Sequence, residues 1–382
     1  MIAKRLVYFV MAATLPLALI TAVFTVTDGP RPADASGGDS LRPYIDADAW
    51  HSGLRLTTKL VWSTTASYDN IAHVDTGVVL AGEAGVVVLA NGAPDSQLEA
   101  VKALSTTPSI HLSSGYERDE VWVVTGRRVV ERYSTSADTG PLSVVIVNDN
   151  HMTGADAVPG RLIVRGIYPD SLLHMYSLAT SPEQTEPGAP VNVEGVLTAT
   201  AGRPVMPGLH RTLARQLHVG ETTLSPDRQR IAVAFWWHDR IDVYDTEELA
   251  LVRSIAGPRV TQLNVGVAEV GERRAMTVIG DTSYTYIDVT ATDKWIFALY
   301  SGAGFRDGPA AFGLGHFVHA FSWDGNFAGE WQLDRGLNAL SVHPDGAELL
   351  GLRWDTALTE VVVVDGLELA ERLPALETGR RQ

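Results

Sequence analysis

The chain has 382 residues, 45% of them hydrophobic and 20% charged, which excludes a disordered polymer and suits a packed body. That length holds two ordinary domains or one large all-β domain. A net charge of −15 and a pI of about 5.1 argue against a nucleic-acid partner, and the absence of cysteine excludes disulfides, thiolate chemistry and lipidation at cysteine.

The first element is membrane-directed. Lys4 and Arg5 precede an uncharged apolar run from Leu6 to Val26. About 20 such residues cross a bilayer, and a cleaved signal peptide has a core of only about 7–15. The run therefore reads as a signal anchor over residues 1–27, one hydrophobic helix ahead of the rest of the chain. The competing reading is a signal peptide cut after Ala35 in "ADAS". Either way the positive flank stays inside, so the remainder is expected on the periplasmic or extracellular side. Residues 28–50, rich in Pro, Gly, Ser and Asp, read as a flexible linker, and 376–382 as a disordered tail.

Between them, residues 51–375 carry a repeated grammar. "LRLTTKLVW" (54–62) is a lone strand, expected to pair into the last repeat and close a ring. Residues 70–104 spell four strands, and "SIHLSSGYERDEVWVVTGRRVVERYS" supplies strands of a second unit. "LSVVIVND" with "RLIVRGIYPDSLLHMYSLA" supplies a third, trailing into a poorly patterned stretch up to about 220. "PGLHRTLARQLH" (207–218) is the best helix candidate. Two later segments repeat the grammar most clearly, "LSPDRQRIAVAFWWHDRIDVYD" (224–245) and "LSVHPDGAELLGLRWDTALTEVVVVD" (340–365). Each has a Pro-Asp turn, an apolar run ending in Trp, a polar connection, and a β-branched run closed by Asp. A further unit spans about 284–334. The strands are continuously apolar, which fits sheets covered on both faces, as in propeller blades. Units of about 50 residues match propeller periods of ~40–50. The fold class is thus an all-β, six-bladed β-propeller; residues 256–283 leave a seventh blade open.

These segments, with "WIFALYSG" and "HFVHAFSWDGNFAGEWQLD", resemble the TolB-like six-bladed propellers, in particular a family of exported bacterial lipoproteins of unknown function. The resemblance covers the C-terminal half well and the first half in outline. It implies a fold and an exported location, and no catalytic residues. The lipobox cysteine of that family is missing here, so a helix anchor would replace the lipid.

If strands are lettered A to D from the axis outward, the Pro-Asp turns join A to B. The B–C connections then share the opposite end of the ring. That end receives Trp237, His238, Asp239 and Arg240, the insert "SGAGFRDGPAAFGLG" with Arg306 and Asp307, and Trp354 with Asp355. Aromatic and Arg side chains are favoured anchors for partners, so these eight residues form the candidate binding set. The competing reading has the tryptophans packing between blades and the polar residues serving the turns. "GAGFRDG" lacks dinucleotide spacing and a following helix, and His316 and His319 point to opposite faces of a strand. "NDNHMTGAD" offers Asp149, Asn150, His151 and Asp156 on a polar loop but misses the calcium-loop pattern. No G-x-S-x-G elbow occurs. No catalytic residue or resident metal is assigned; calcium is the one cofactor kept in view.

The expected function is an exported, membrane-tethered binding or scaffold module for an envelope protein, peptide or glycan. The alternative is a metal-dependent hydrolase or lactonase in the propeller channel, using Asp288, Asn338 and Asn148.

Overall fold

In a computed structural model, the described residues are 55–74, 77–91, 98–115, 119–126, 128–136, 140–149, 151–168, 170–180, 191–203, 211–259, 265–270, 273–278, 282–304, 307, 311, 313–343, 346, 348–354 and 358–365. The expected anchor, linker and tail lie outside them, as do Arg306 and Asp355. Among the described residues, no helix is long and apolar enough to cross a membrane.

Strands dominate. After β1 (Arg55–Thr64), the chain makes an antiparallel sheet of β2 (Asn70–Val74), β3 (Gly77–Gly82), β4 (Gly85–Asn91) and β5 (Leu98–Ser105). The next four are β6 (His111–Ser114), β7 (Glu120–Val124), β8 (Val129–Ser134) and β9 (Ser143–Val147). Then come β10 (Met152–Val158), β11 (Arg161–Gly166), β12 (Ser171–Thr180) and β13 (Val191–Gly202). Helix α1 (Arg211–Leu217), the one helical element among the described residues, precedes β14 (Gly220–Leu224), β15 (Arg230–Phe235), β16 (Arg240–Asp245) and β17 (Leu251–Ala256). A two-stranded hairpin, β18 (Val265–Val270) with β19 (Arg273–Val278), follows. The last two groups are β20 (Tyr286–Ala291), β21 (Trp295–Tyr300), β22 (Gly315–Ser322) and β23 (Phe327–Leu337), then β24 (Ala339–Val342), β25 (Leu349–Trp354) and β26 (Thr359–Asp365). β1 completes the last group by pairing antiparallel with β26, so the N-terminal strand does close the final sheet.

Two outer-strand pairings join neighbouring groups, β13 parallel to β9 and β1 parallel to β23. The first strands of the four-strand groups touch in cyclic order, β2, β6, β10, β14, β20, β24 and back to β2. This ring of first strands, with sheets radiating outward, is a propeller. Each sheet packs on the next through an apolar layer. Ala72, Val79 and Val88 meet Leu112 and Val121, and Phe297 and Leu299 meet Leu340 and Val362. Middle strands such as Ile231–Phe235 are buried along nearly their whole length, which is why they read as unbroken apolar runs. Each square ångström of apolar surface so buried contributes ~25 cal/mol.

Polar side chains stitch the first strands together. Ser341 Oγ accepts from the His73 amide at 2.9 Å, Ser113 donates to Asp156 at 2.9 Å, and Thr222 donates to Asp156 at 2.6 Å. Asp288 accepts from the Leu340 amide at 2.6 Å, and Thr290 from the Val342 amide at 3.2 Å. Short inner strands have few ladder partners, so these bonds satisfy amides that would otherwise face the axis unpaired.

Two expectations need correction. Residues 152–156, read as a polar loop, belong to β10, an inner strand. Its small residues Gly154, Ala155 and Ala157 carry no β-branched signal, because the crowded axis favours small side chains. "LSVVIV" is the outer strand of the second group, not part of the third. The helix expected near 207–218 is found as α1. The strands hidden in 256–283 amount, among the described residues, to the β18–β19 pair, which packs against α1.

Candidate binding face

Among the described residues, the β15–β16 tip, the flanks of the β21–β22 connection and the end of β25 are bridged in sequence by residues that link the groups. Trp236 at the β15–β16 tip accepts from the Thr285 amide at 2.7 Å, and Gly302 donates to Tyr284 at 2.9 Å. The β21–β22 insert is tied on by Asn338, whose side chain donates to Gly313 at 2.6 Å and accepts from the Trp354 amide at 2.7 Å. Several of the expected contact side chains at these tips are turned inward.

Trp237 is only 4% exposed. It packs with Leu213, Leu217, Met276 and Tyr284, the last at a ring distance of 4.2 Å. His238 stacks on His218 at 5.4 Å. Burial, then the neighbouring His218 and Arg240, push its pKa down to about 3, so it is neutral at pH 7. Arg240 grips the fully buried Asp242 through two bonds, of 2.6 and 2.9 Å, and Ser254 at 2.7 Å. Trp354 is half-buried against the layer holding Trp62 and Val61. Asp307 is exposed and accepts from the Gly304 amide at 2.8 Å.

Asp239 begins a buried relay. Tyr286 donates to its carboxylate at 2.6 Å, and the Arg259 amide donates to the other oxygen. A Cβ on Gly257 would strike this carboxylate, so only glycine fits there. Tyr286 also lies 3.2 Å from Nδ1 of the fully buried His319, whose Nε2 is 2.8 Å from Glu330. Glu330 accepts two bonds from the Arg259 guanidinium, at 2.9 and 2.8 Å. That guanidinium sits 4.6 Å over Phe317 and 5.4 Å over Tyr300. Burial raises Asp239 to about 7 despite the Tyr286 and Arg259 bonds. Burial also acts to raise Glu330, but His319 and Arg259 outweigh it and hold Glu330 at about 2. The outcome is an arginine held flat on aromatic rings and 37% exposed at its side chain. His316 is exposed and His319 buried, as their strand spacing requires.

A second cluster lies at the axis. Arg165, on β11, pairs with Glu221, donates to the Gly220 carbonyl at 2.7 Å, and reaches His111 Nδ1 at 3.2 Å. Its path crosses β10 at Gly154, where a Cβ would collide with the guanidinium. From the other end Arg228 bridges toward the β6 side, onto Gly115 and Ser114. Asp288 stands on the inner strand β20, as expected; Asn338 precedes β24, and Asn148 is exposed in the β9–β10 link. The oxygens of Asp156 already accept from Ser113 and Thr222, and those of Glu221 and Asp288 meet Arg165 and the Leu340 amide. Among the described residues no group of three or more His, Asp or Glu is arranged to hold a metal.

Asp288 is raised to about 7, by burial first and then by the like charge of Glu221. An unfolded Asp titrates near about 3.9. Between these values the folded chain holds a proton that the unfolded chain has lost, so stability falls as pH rises through this window. Asp239 acts in the same direction. Asp288→Asn should remove one part of that decline, leaving a flatter urea-midpoint profile from pH 4 to 8. An unchanged profile would contradict the burial of this carboxyl.

Arg259, Tyr286, His319 and Glu330 were not in the expected binding set, nor were Arg165 and Glu221 at the axis. The only sequence trace was polar residues inside strands otherwise made of apolar ones, such as His319 in "HFVHAF" and Glu221 in "GETTL".

Strand pairing and the ring of first strands define the class, a β-propeller with a clustered end of aromatic, arginine and acidic side chains. No protein-family model and no curated protein matches the chain. Among solved structures it is similar to the β-propeller domain of Cps50 (Swd1) from Myceliophteria thermophila, at 10% identity over 80% of this chain and 99% of that one, with a TM-score of 0.44.

Proposed function

We propose that the chain is a six-bladed propeller that serves as an exported binding or scaffold module. Six four-strand groups, closed by β1 on β26, support the blade count; the β18–β19 pair is an insertion, not a blade. The apolar run Leu6–Val26 and the TolB-like resemblance support export and tethering through the N-terminal segment. The partner is an envelope protein, peptide or glycan.

The observation that carries the binding role is the Arg259 platform. A guanidinium pinned by Glu330 over Phe317 and Tyr300 loses little freedom on contact, and Arg and aromatic residues dominate binding energy at such faces. Trp237 supports this face from beneath. The contacting set is therefore Arg259, Phe317, His316, Asp307 and Trp354. A channel metal such as calcium, as in a lactonase, is less favoured because the axial carboxylates are engaged by protein donors.

The triple variant Asp307→Ala, His316→Ala, Phe317→Ser should lose no more than a few degrees in melting temperature, since Asp307 and His316 are exposed and Phe317 is only partly buried against the core. It should lose at least tenfold in crosslinking to its envelope partner. Asp324→Ala, in the β22–β23 turn at the opposite end, should lose nothing. The reverse pattern would place binding at the other end.

A further inference from the structure

We propose that Ser171, His174 and Asp149 form a serine-type acyl-transfer site that hydrolyses carboxylic esters at the same end of the ring. Ser171 opens β12 directly after the β11–β12 connection, a second-to-third strand tip like those of the binding face. Asp149 lies in the link between β9 and β10. Ser171 Oγ is 2.6 Å from His174 Nε2. His174 Nδ1 is 3.2 Å from Asp149 Oδ2, which also accepts from Tyr176 at 3.0 Å. Asp149 Oδ1 accepts from the His151 amide at 2.8 Å, fixing the carboxylate in a tight Asx turn.

Residues three apart on a regular strand face opposite ways. The β12–β13 register shifts between Ser171 and Leu173, and that irregularity brings the hydroxyl back to the imidazole's side. Bulges of this kind recur beside functional sites.

The tautomer follows from the partners. An ionised carboxylate can only accept, so Nδ1 carries the hydrogen of the neutral ring and Nε2 presents its lone pair to the Ser171 hydroxyl. That is the arrangement a general base needs. Asp149 stays ionised: burial acts to raise its pKa, but bonds from His174, the His151 amide and Tyr176, with the Tyr168 hydroxyl nearby, hold it at about 2. Tyr168 stacks on the imidazole at 3.6 Å and 14°, which fixes the ring plane. Asp149 is buried while Ser171 and His174 keep partial exposure, so the nucleophile is reachable and the orienting acid is dry. Arg203 donates to the Ser171 backbone carbonyl at 3.1 Å, which ties the start of β12 to the chain after β13.

The chemistry balances without a cofactor. Ser171 Oγ bonds to the ester carbonyl carbon as its proton passes to His174 Nε2. The carbon–oxygen bond to the alcohol breaks, and the leaving oxygen takes that proton. Water, deprotonated by His174, then attacks the acyl-serine; the acid departs and the proton returns to Ser171.

The test uses the purified full chain with a fluorophosphonate probe and p-nitrophenyl butyrate. The probe should be found on the Ser171 peptide by mass spectrometry, and labelling should vanish in Ser171→Ala and His174→Ala. Ester hydrolysis should fall at least 100-fold in Ser171→Ala, with the melting temperature unchanged, and equally in Asp149→Asn, where loss of a buried, depressed carboxylate should also lower the melting temperature by a few degrees. The chain has no cysteine, so Ser171→Cys introduces a unique thiol. Its alkylation by iodoacetamide should titrate well below about 8.5, and adding His174→Ala should restore the ordinary value. No label at Ser171, hydrolysis that survives Ser171→Ala, or a thiol titrating at the ordinary value would overturn the assignment. None of these readouts depends on the Arg259 platform, so the two readings fail separately.

Discussion

Replacing Arg165 with Leu should destabilise the protein by about 3–5 kcal/mol, read as a fall in the urea midpoint at pH 7, because it strands buried acids without their cation. Arg165 is 8% exposed and serves Glu221, Gly220 and His111 from a single guanidinium. Burial already raises Glu221 and Asp156, and in both Arg165 acts to lower the pKa. Without it the folded state must hold protons that the unfolded chain releases, so the loss should shrink at pH 5 and grow at pH 8. The double variant Arg165→Leu with Glu221→Leu should recover most of the loss, since an apolar pair of similar volume replaces an ion pair at little cost. A single variant as stable as the parent would mean that the guanidinium is not compensating those acids.

Trp237→Ala should cost about 3–5 kcal/mol, the range for emptying a buried Trp site. The damage should be local first. α1 has only seven residues, too few to hold a helix in isolation, and it is held by Leu213 and Leu217 against Trp237, Met276 and Tyr284. Hydrogen exchange should show the amides of residues 211–217 losing protection before the propeller strands do. If those amides stay protected, Trp237 is not the support. The same experiment separates packing from recognition, because any loss of partner capture in Trp237→Ala would accompany loss of α1.

Much of the architecture was legible because both faces of a blade are covered. Runs such as "RIAVAF", "WIFALY" and "TEVVVVD" are apolar throughout, and the Pro226-Asp227 turn begins the hairpin into β15. β10 was missed for the opposite reason. At the axis the strand must be thin, so its residues are Gly154, Ala155, Asp156 and Ala157, which look like loop. The placement of the three tips between second and third strands was legible from strand counting alone. The direction of each side chain at those tips was not. Two adjacent tryptophans at a turn suggest display, yet Trp237 is drawn under the tip by a helix and a hairpin more than 15 residues away in sequence.

The sequence by itself determined a ring of sheets, its closure by the N-terminal strand, and which connections share an end, because these follow from periodicity and turn placement. Tertiary structure decided which polar groups are paired. Asp239 with Tyr286, Arg165 with Glu221, and the Ser171–His174 pair of β12 with Asp149 are assembled from separate strands and links. The physical reason is that hydrogen bonding needs atoms within about 3 Å, and such distances depend on blade packing and a single strand irregularity that no local residue pattern records.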